Sequence, residues 1–170
     1  FETLGFDAVT VHPYLGSEAL EPFFAYADRG VFVLVRTSNP GAVELQDAPV
    51  GEAGEPLFLW LADRVREWNK RFGNLGLVVG ATYPVDLALV RQRCPDLPVL
   101  APGVGAQGGD LEETVRAALS EGSGPLLVNV ARSVLYASSG PDFAEAAREA
   151  ARRLRDRIEA VRSEIQKRTA

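Results

Sequence analysis

An α/β fold built on a parallel sheet is predicted by three features of the chain. Short runs of aliphatic and β-branched residues, bounded by Gly, Pro, Asn and Ser, recur five times. Stretches with apolar residues at every third or fourth position lie between them. The runs also lack the in-and-out alternation of a half-solvated sheet, as expected where both faces of parallel strands are buried. Strand and helix in strict turn make βα units of about 30 residues each.

The chain opens on FETLGFDAV, which reads as a helix end, a glycine break and a strand already under way, so it is expected to start inside a domain. The first strand run is Asp7 to Pro13 (DAVTVHP), with a helical stretch at about 17–28 after it. The second is Gly30 to Ser38 (GVFVLVRTS). Beyond it, 39–56 is rich in Gly, Pro, Ala and acids and shows no period, which suits an active-site loop or lid and equally a plain surface loop. A helix is predicted at 57–72, with Leu57, Leu61, Val65 and Trp68 on one face and Arg64, Arg66, Glu67 and Lys70 on the other. The third strand run is Leu75 to Ala81, then a helix at 83–93. The fourth is Leu97 to Val104, then a helix at 110–121, and the fifth is Pro125 to Arg132. A last helix over 141–168 begins with Pro141, Asp142 and Glu145 and ends on Lys167 and Arg168, each suited to its end of the dipole. Its Phe143, Ala147, Ala150, Leu154, Ile158, Val161 and Ile165 set it across the last strand.

Two architectures accommodate these units. One is an open, doubly wound sheet. The other is a closed (β/α)8 barrel, if three further units precede Phe1. Periodicity alone leaves both open.

Composition narrows the function. The 170 residues suit one core, and the apolar share of 46% with 24% charged residues is that of a folded globular chain. A net charge of −5 argues against a general nucleic-acid binder, while a local pocket for a small anion remains compatible with it. Cys94 is the one cysteine, so no internal disulfide forms, and its neighbours supply no metal ligands. A reducing cytoplasm is the simplest setting. Neither a membrane-spanning apolar run nor a basic-then-apolar leader is present in the sequence.

Sites in parallel α/β folds lie beyond the carboxyl ends of the strands, and four such places carry polar groups. In LAPGVGAQGGD, Gly103, Gly105, Gly108 and Gly109 can bare backbone N–H groups to an anion. There Gln107 adds an amide donor and a helix begins near Asp110. A glycine-rich turn without a ligand is the alternative. In VNVARSV, Arg132 follows a buried run, where its planar fork suits a phosphate or a structural partner. LVRTSNPG offers Arg36, Thr37, Ser38 and Asn39, with Ser38 placed to meet a planar amide or base edge, or to cap the turn at Pro40–Gly41. In VTVHPYLG, Thr10 and His12 share one strand face, and His12 reads as a titrating group or as a hydrogen-bonded core histidine. No strand-end pairing of lysine with carboxylate supplies an evident proton donor.

Taken in order, DAVTVHPYLG, VLVRTSNPGA, LVVGATYP, LAPGVGAQGGD and LLVNVARSVLYA resemble successive strand-end motifs of the orotidine 5'-phosphate decarboxylases, in particular a bacterial branch. The resemblance covers nearly the whole chain. It implies a (β/α)8 barrel in which these are strands four to eight, decarboxylation of orotidine 5'-monophosphate to UMP without metal or organic cofactor, and a homodimer. By that pattern Ser38 contacts the pyrimidine, Pro102 and Gly103 lie near the base, and Gln107 and Arg132 bind phosphate; Thr10, His12, Asn39 and Gly105 are further candidates. The family's catalytic lysines and aspartates, with their Asp-x-Lys-x-x-Asp motif, match nothing here and are expected upstream of Phe1. Ala131 also stands where many relatives have Gly before the phosphate arginine. The rival readings are another phosphosugar-binding barrel enzyme and a nucleotide-binding fragment without catalysis.

Overall fold

Five parallel strands curl into one sheet whose order along the sheet is their order along the chain. The computed structural model describes residues 1–105, 107–119 and 124–169. Ala106, and positions 120 and 121 of the predicted 110–121 helix, lie outside the described residues.

Strand β1 (Ala8–Val11) leads to helix α1 (Ser17–Phe24) and strand β2 (Gly30–Arg36). α1 stops short of the predicted end near 28, and Pro22 lies inside it. The chain then tightens into turns, with the Arg29 N–H donating to the Tyr26 carbonyl. The 39–56 segment is more ordered than its composition suggests. It holds a 3-10 turn at Pro40–Ala42, a short helix α2 (Val43–Gln46), and an antiparallel ribbon of β3 (Pro49–Val50) and β4 (Glu55–Pro56). Helix α3 (Leu57–Phe72), strand β5 (Leu75–Val79) and helix α4 (Pro84–Arg93) follow. Next come strand β6 (Val99–Pro102), helix α5 (Leu111–Leu119) and strand β7 (Leu126–Asn129). Helix α6 (Arg132–Leu135) starts at the arginine that the sequence assigns to the last strand, and helix α7 (Phe143–Thr169) closes the chain.

The sheet runs β1-β2-β5-β6-β7, with every neighbouring pair parallel. A doubly wound sheet reverses its strand order and carries helices on both faces. Here the order never reverses. Val31, Val33, Leu75, Leu77, Val79 and Val99 face the helices and are buried with Leu20, Phe24, Phe58, Val65, Leu87 and Val90. α7 joins through Val161, Leu154 and Ile158, packed with Val115 of α5 and with Leu126 and Val128.

Among the described residues, the opposite face adds no side chain to these two clusters. In register across it stand Thr10, Phe32 and Gly76, then Leu34, Val78, Leu100 and Leu127. Thr10 is exposed, Phe32, Leu34 and Leu100 are half-buried, and Leu127 is 44% exposed. The expectation that both faces are buried holds on the helix side and, on this face, at the central strand β5, where Gly76 and Val78 are buried; away from β5 this face is more open among the described residues. Of the stripe predicted on α3, Val65 is in the core and Leu61 and Trp68 pack against it partly buried, and the buried face widens to Phe58, Leu59 and Ala62. Leu57, Leu61 and Trp68 also border a cavity.

At the amino ends of the strands, Arg91 is fully buried and donates to the carbonyls of Cys94, Pro95, Leu97 and Pro125. It ties the end of α4 to the starts of β6 and β7. Replacing it with Met removes those donors, and the protein should lose about 3 kcal/mol of stability; an unchanged urea midpoint would contradict this role. Cys94 is buried beside the Ala62 carbonyl, and burial, with Asp63 near, pushes its thiol up to about 11. Below that pH the thiol stays protonated. Alkylation at pH 8 should then be more than about a hundredfold slower in the folded than in the urea-unfolded protein, and equal rates would show the site to be open.

Candidate functional site

Two strand ends meet at Ser38. Its Oγ donates to Gln107 Oε1 at 3.0 Å, joining residues 69 apart in sequence. The approach is possible because two neighbours lack side chains. A Cβ on Gly80 would lie 2.7 Å from the Ser38 nitrogen and 2.8 Å from its Cα, and one on Gly103 would lie 2.8 Å from the Ser38 Cβ. Gly103 also takes φ +100°, a conformation that side-chain-bearing residues rarely adopt. The Thr82 hydroxyl donates to the Ser38 carbonyl at 3.2 Å.

The glycine loop differs from the bare anion cradle that the sequence suggests. Gly105 N–H donates to the Gly109 carbonyl, Gly108 N–H to Gly105, and Gly109 N–H to Gly103, so three of the expected amides close the loop on itself. The start of α5 is likewise occupied, since the Asp110 carboxylate accepts from the Glu113 N–H at 2.8 Å. Beside the Gly103 amide, the other donors of the expected set are side chains. With Oε1 taken by Ser38, the exposed Gln107 presents its NH2 group. Arg132 is exposed in the first turn of α6, and the Ser133 hydroxyl lies 3.1 Å from the position of a Cβ on Gly105. That contact sets the arginine's turn against the loop.

The other candidates divide. Pro102 ends β6 on the inner face, opposite Asn129, and its carbonyl accepts from the Ala81 N–H at 2.8 Å. Asn39 accepts from the Thr37 hydroxyl at 2.7 Å and so serves its own turn. Thr10 lies on β1, separated from β6 by β2 and β5. Among the described residues His12 is exposed, just past β1, whose described neighbour is β2. It lines a cavity of about 520 Å³ with Tyr14, Thr37, Gln46 and Trp60, apart from Ser38 and Gln107.

Sequence reasoning named Arg36 without seeing its environment. Its side chain is 3% exposed, Nε donates to Asp86 Oδ2 at 2.8 Å, and Nη1 lies 2.7 Å from Asp47 Oδ1. The guanidinium sits 3.9 Å from the centre of the Tyr83 ring. Asp86 is held above the ordinary carboxylate range, chiefly by burial, with Arg36 pulling the other way. The signal was an arginine closing the apolar run VFVLV, the same signal that drew attention to Arg132.

Comparisons with known proteins agree with one another. A family model described as "Orotidine 5'-phosphate decarboxylase / HUMPS family" matches residues 1–150. The chain is 75% identical over 165 residues to an orotidine 5'-phosphate decarboxylase of Thermomicrobium roseum, across 97% of this chain and 59% of that protein. A protein of the same name from Roseiflexus castenholzii is 62% identical over 162 residues, across 95% and 59%. Among solved structures, a Leishmania donovani UMP synthase matches with a TM-score of 0.79 and 44% identity, over 93% of this chain and 34% of that one. A Leishmania donovani OMP decarboxylase gives 0.74 and 39%, over 93% and 60%. The chain thus spans 59% of the length of those two curated relatives.

Gly103→Ala tests the geometry without a ligand. It should destabilise the protein by about 1–3 kcal/mol, from the backbone conformation and the contact with Ser38 together. A denaturation midpoint equal to that of the parent would show that the two strand ends do not need the glycine.

Proposed function

The chain belongs to the orotidine 5'-phosphate decarboxylase / HUMPS family, and from that membership we propose that the full protein converts orotidine 5'-monophosphate to UMP and CO2 in pyrimidine synthesis, with these 170 residues holding the base and the phosphate. The hydrogen bond between Ser38 and Gln107 carries the reading, because it links a group sized for a pyrimidine edge to a donor suited to a phosphate oxygen.

In this reading the Ser38 hydroxyl gives its proton to Gln107 and keeps its lone pairs for the ring N–H of the pyrimidine. The Gln107 NH2 and the Arg132 guanidinium take the phosphate, in charge-assisted hydrogen bonds stronger than neutral ones. Pro102 and Gly103 flank the base. The bond from C6 to the carboxylate breaks, CO2 leaves, and the electron pair stays on C6 until an ammonium group delivers a proton. That ammonium and its orienting carboxylates come from the part of the family barrel that these residues do not span. The step uses no metal or organic cofactor. Binding energy from the remote phosphate is then available to position the ring.

The 39–56 segment is the proposed covering element. Its exposed tip at 51–54 is free of the contacts that fix Gln46 and Asp47 to the end of β2. We place the enzyme in the cytoplasm as a homodimer; exposed Tyr14, Leu15 and Leu45 around the His12 cavity support a partner surface there. Among the described residues no helix is long and apolar enough to cross a membrane.

The test is turnover by the full-length protein of orotidine 5'-monophosphate against a ribulose-type phosphate, with Gln107→Ala and Arg132→Ala beside the parent. Each substitution should lower kcat/KM for the nucleotide by roughly 10- to 100-fold, mainly through KM. Turnover of the sugar phosphate alone would move the protein to the other branch, and an unchanged kcat/KM in Arg132→Ala would remove the phosphate role.

A further inference from the structure

The geometry points to Arg36 as a positioning residue, one that acts through Asp47 and Asp86 to hold Ser38 in place against Gln107. The pairing register of β2 with β5 shifts between Leu34 and Arg36. In regular alternation Arg36 would follow Leu34 to the inner face. The shift instead turns it, with Val35, toward the helices, where both are buried. Such irregularities re-aim a side chain, and here the side chain is a charge placed among apolar neighbours.

What the guanidinium grips explains the arrangement. Through Asp86 and the Tyr83 ring it holds the start of α4. The chain just before that helix carries Gly80, whose N–H donates to the Arg36 carbonyl at 2.7 Å, and Thr82, whose hydroxyl holds the Ser38 carbonyl. Through Asp47 it holds the end of α2. The residue before Asp47 is Gln46, which accepts from the Thr37 N–H at 2.9 Å and donates to the Thr37 hydroxyl at 2.8 Å. Two chain segments therefore close on Thr37 and Ser38, and one buried cation fastens both. Replacing a buried ion pair with apolar side chains is often neutral for stability, so fixed geometry is the property that this arrangement supplies.

The kinetic part of the test rests on the decarboxylase reading, and a second part does not. In the full-length protein, Asp47→Asn and Arg36→Lys are made alone and together with Ser38→Ala. Asp47 is 44% exposed, so its substitution leaves the core in place. Each single variant should lower kcat/KM by about fivefold or more, with less effect from Asp47→Glu, which keeps the charge; an ammonium cannot span both carboxylates as the planar fork does. In the Ser38→Ala background the same changes should cost less than about twofold, because the group they position is gone. Equal factors in both backgrounds would overturn the proposal and leave Arg36 a purely structural residue. Independently of turnover, Asp47→Asn should speed amide hydrogen exchange at Gly105 and Gly109, whose hydrogen bonds Asp47 does not touch. An inactive parent sinks the decarboxylase reading alone, since faster exchange at those glycines still supports the positioning role and unchanged exchange rejects it.

Discussion

Ser38 occupies a space that exists only because residues 80 and 103 have no side chains. Its hydrogen bond to Gln107 couples the end of β2 to the loop after β6, across the intervening β5. Everything proposed for the site depends on that coupling. Without it, a base-sized group and a phosphate-sized donor would be two unrelated polar residues. With it, the glutamine Oε1 is engaged by Ser38 and its NH2 group is the part that can donate to a ligand.

The rest of the fold supplies rigidity to that one contact. Helices cover one face of the sheet, and a continuous layer of Val and Leu between them fixes the strands. Arg91 fastens the amino ends of β6 and β7, while Arg36 fastens the carboxyl end of β2. Both arginines are buried, yet their partners differ in kind. Arg91 donates to four backbone carbonyls around the starts of β6 and β7, a structural task. Arg36 faces two carboxylates and two rings beside a candidate site, and such concentrations of buried charge are common where function sets geometry.

Much of this was legible in the sequence. The five strands and the long final helix follow from aliphatic runs and three-to-four spacing, because burial on the helix side imposes both. The glycine-rich motif located the site, and five motifs in order carried the family resemblance. Other features were hidden for identifiable reasons. The inner face reads as apolar whether or not anything covers it, so Leu127 gave no sign of its exposure. His12 looked like a strand-face residue because alternation does not reveal where a strand stops. The loop glycines suggested bare amides, yet three of those amides bond to the loop itself, which only coordinates show. The order in 39–56 draws on side-chain contacts of Gln46 and Asp47 with Thr37 and Arg36, on the β3–β4 pairing and on the Glu55–Arg93 ion pair, which local propensity does not show.

The proposed chemistry divides into a holding half and a reacting half, and these residues account for the holding half. Its central claim is that one hydrogen-bonded pair aligns the base and the phosphate of a single nucleotide. A crystal structure of the full-length protein with bound UMP tests it most directly. The account predicts phosphate oxygens at about 2.7–3.1 Å from the Gln107 NH2 and the Arg132 guanidinium, with the uracil edge on Ser38 and the Ser38–Gln107 bond intact. A nucleotide whose phosphate lies away from both side chains, or a Ser38 separated from Gln107 in the complex, would contradict it.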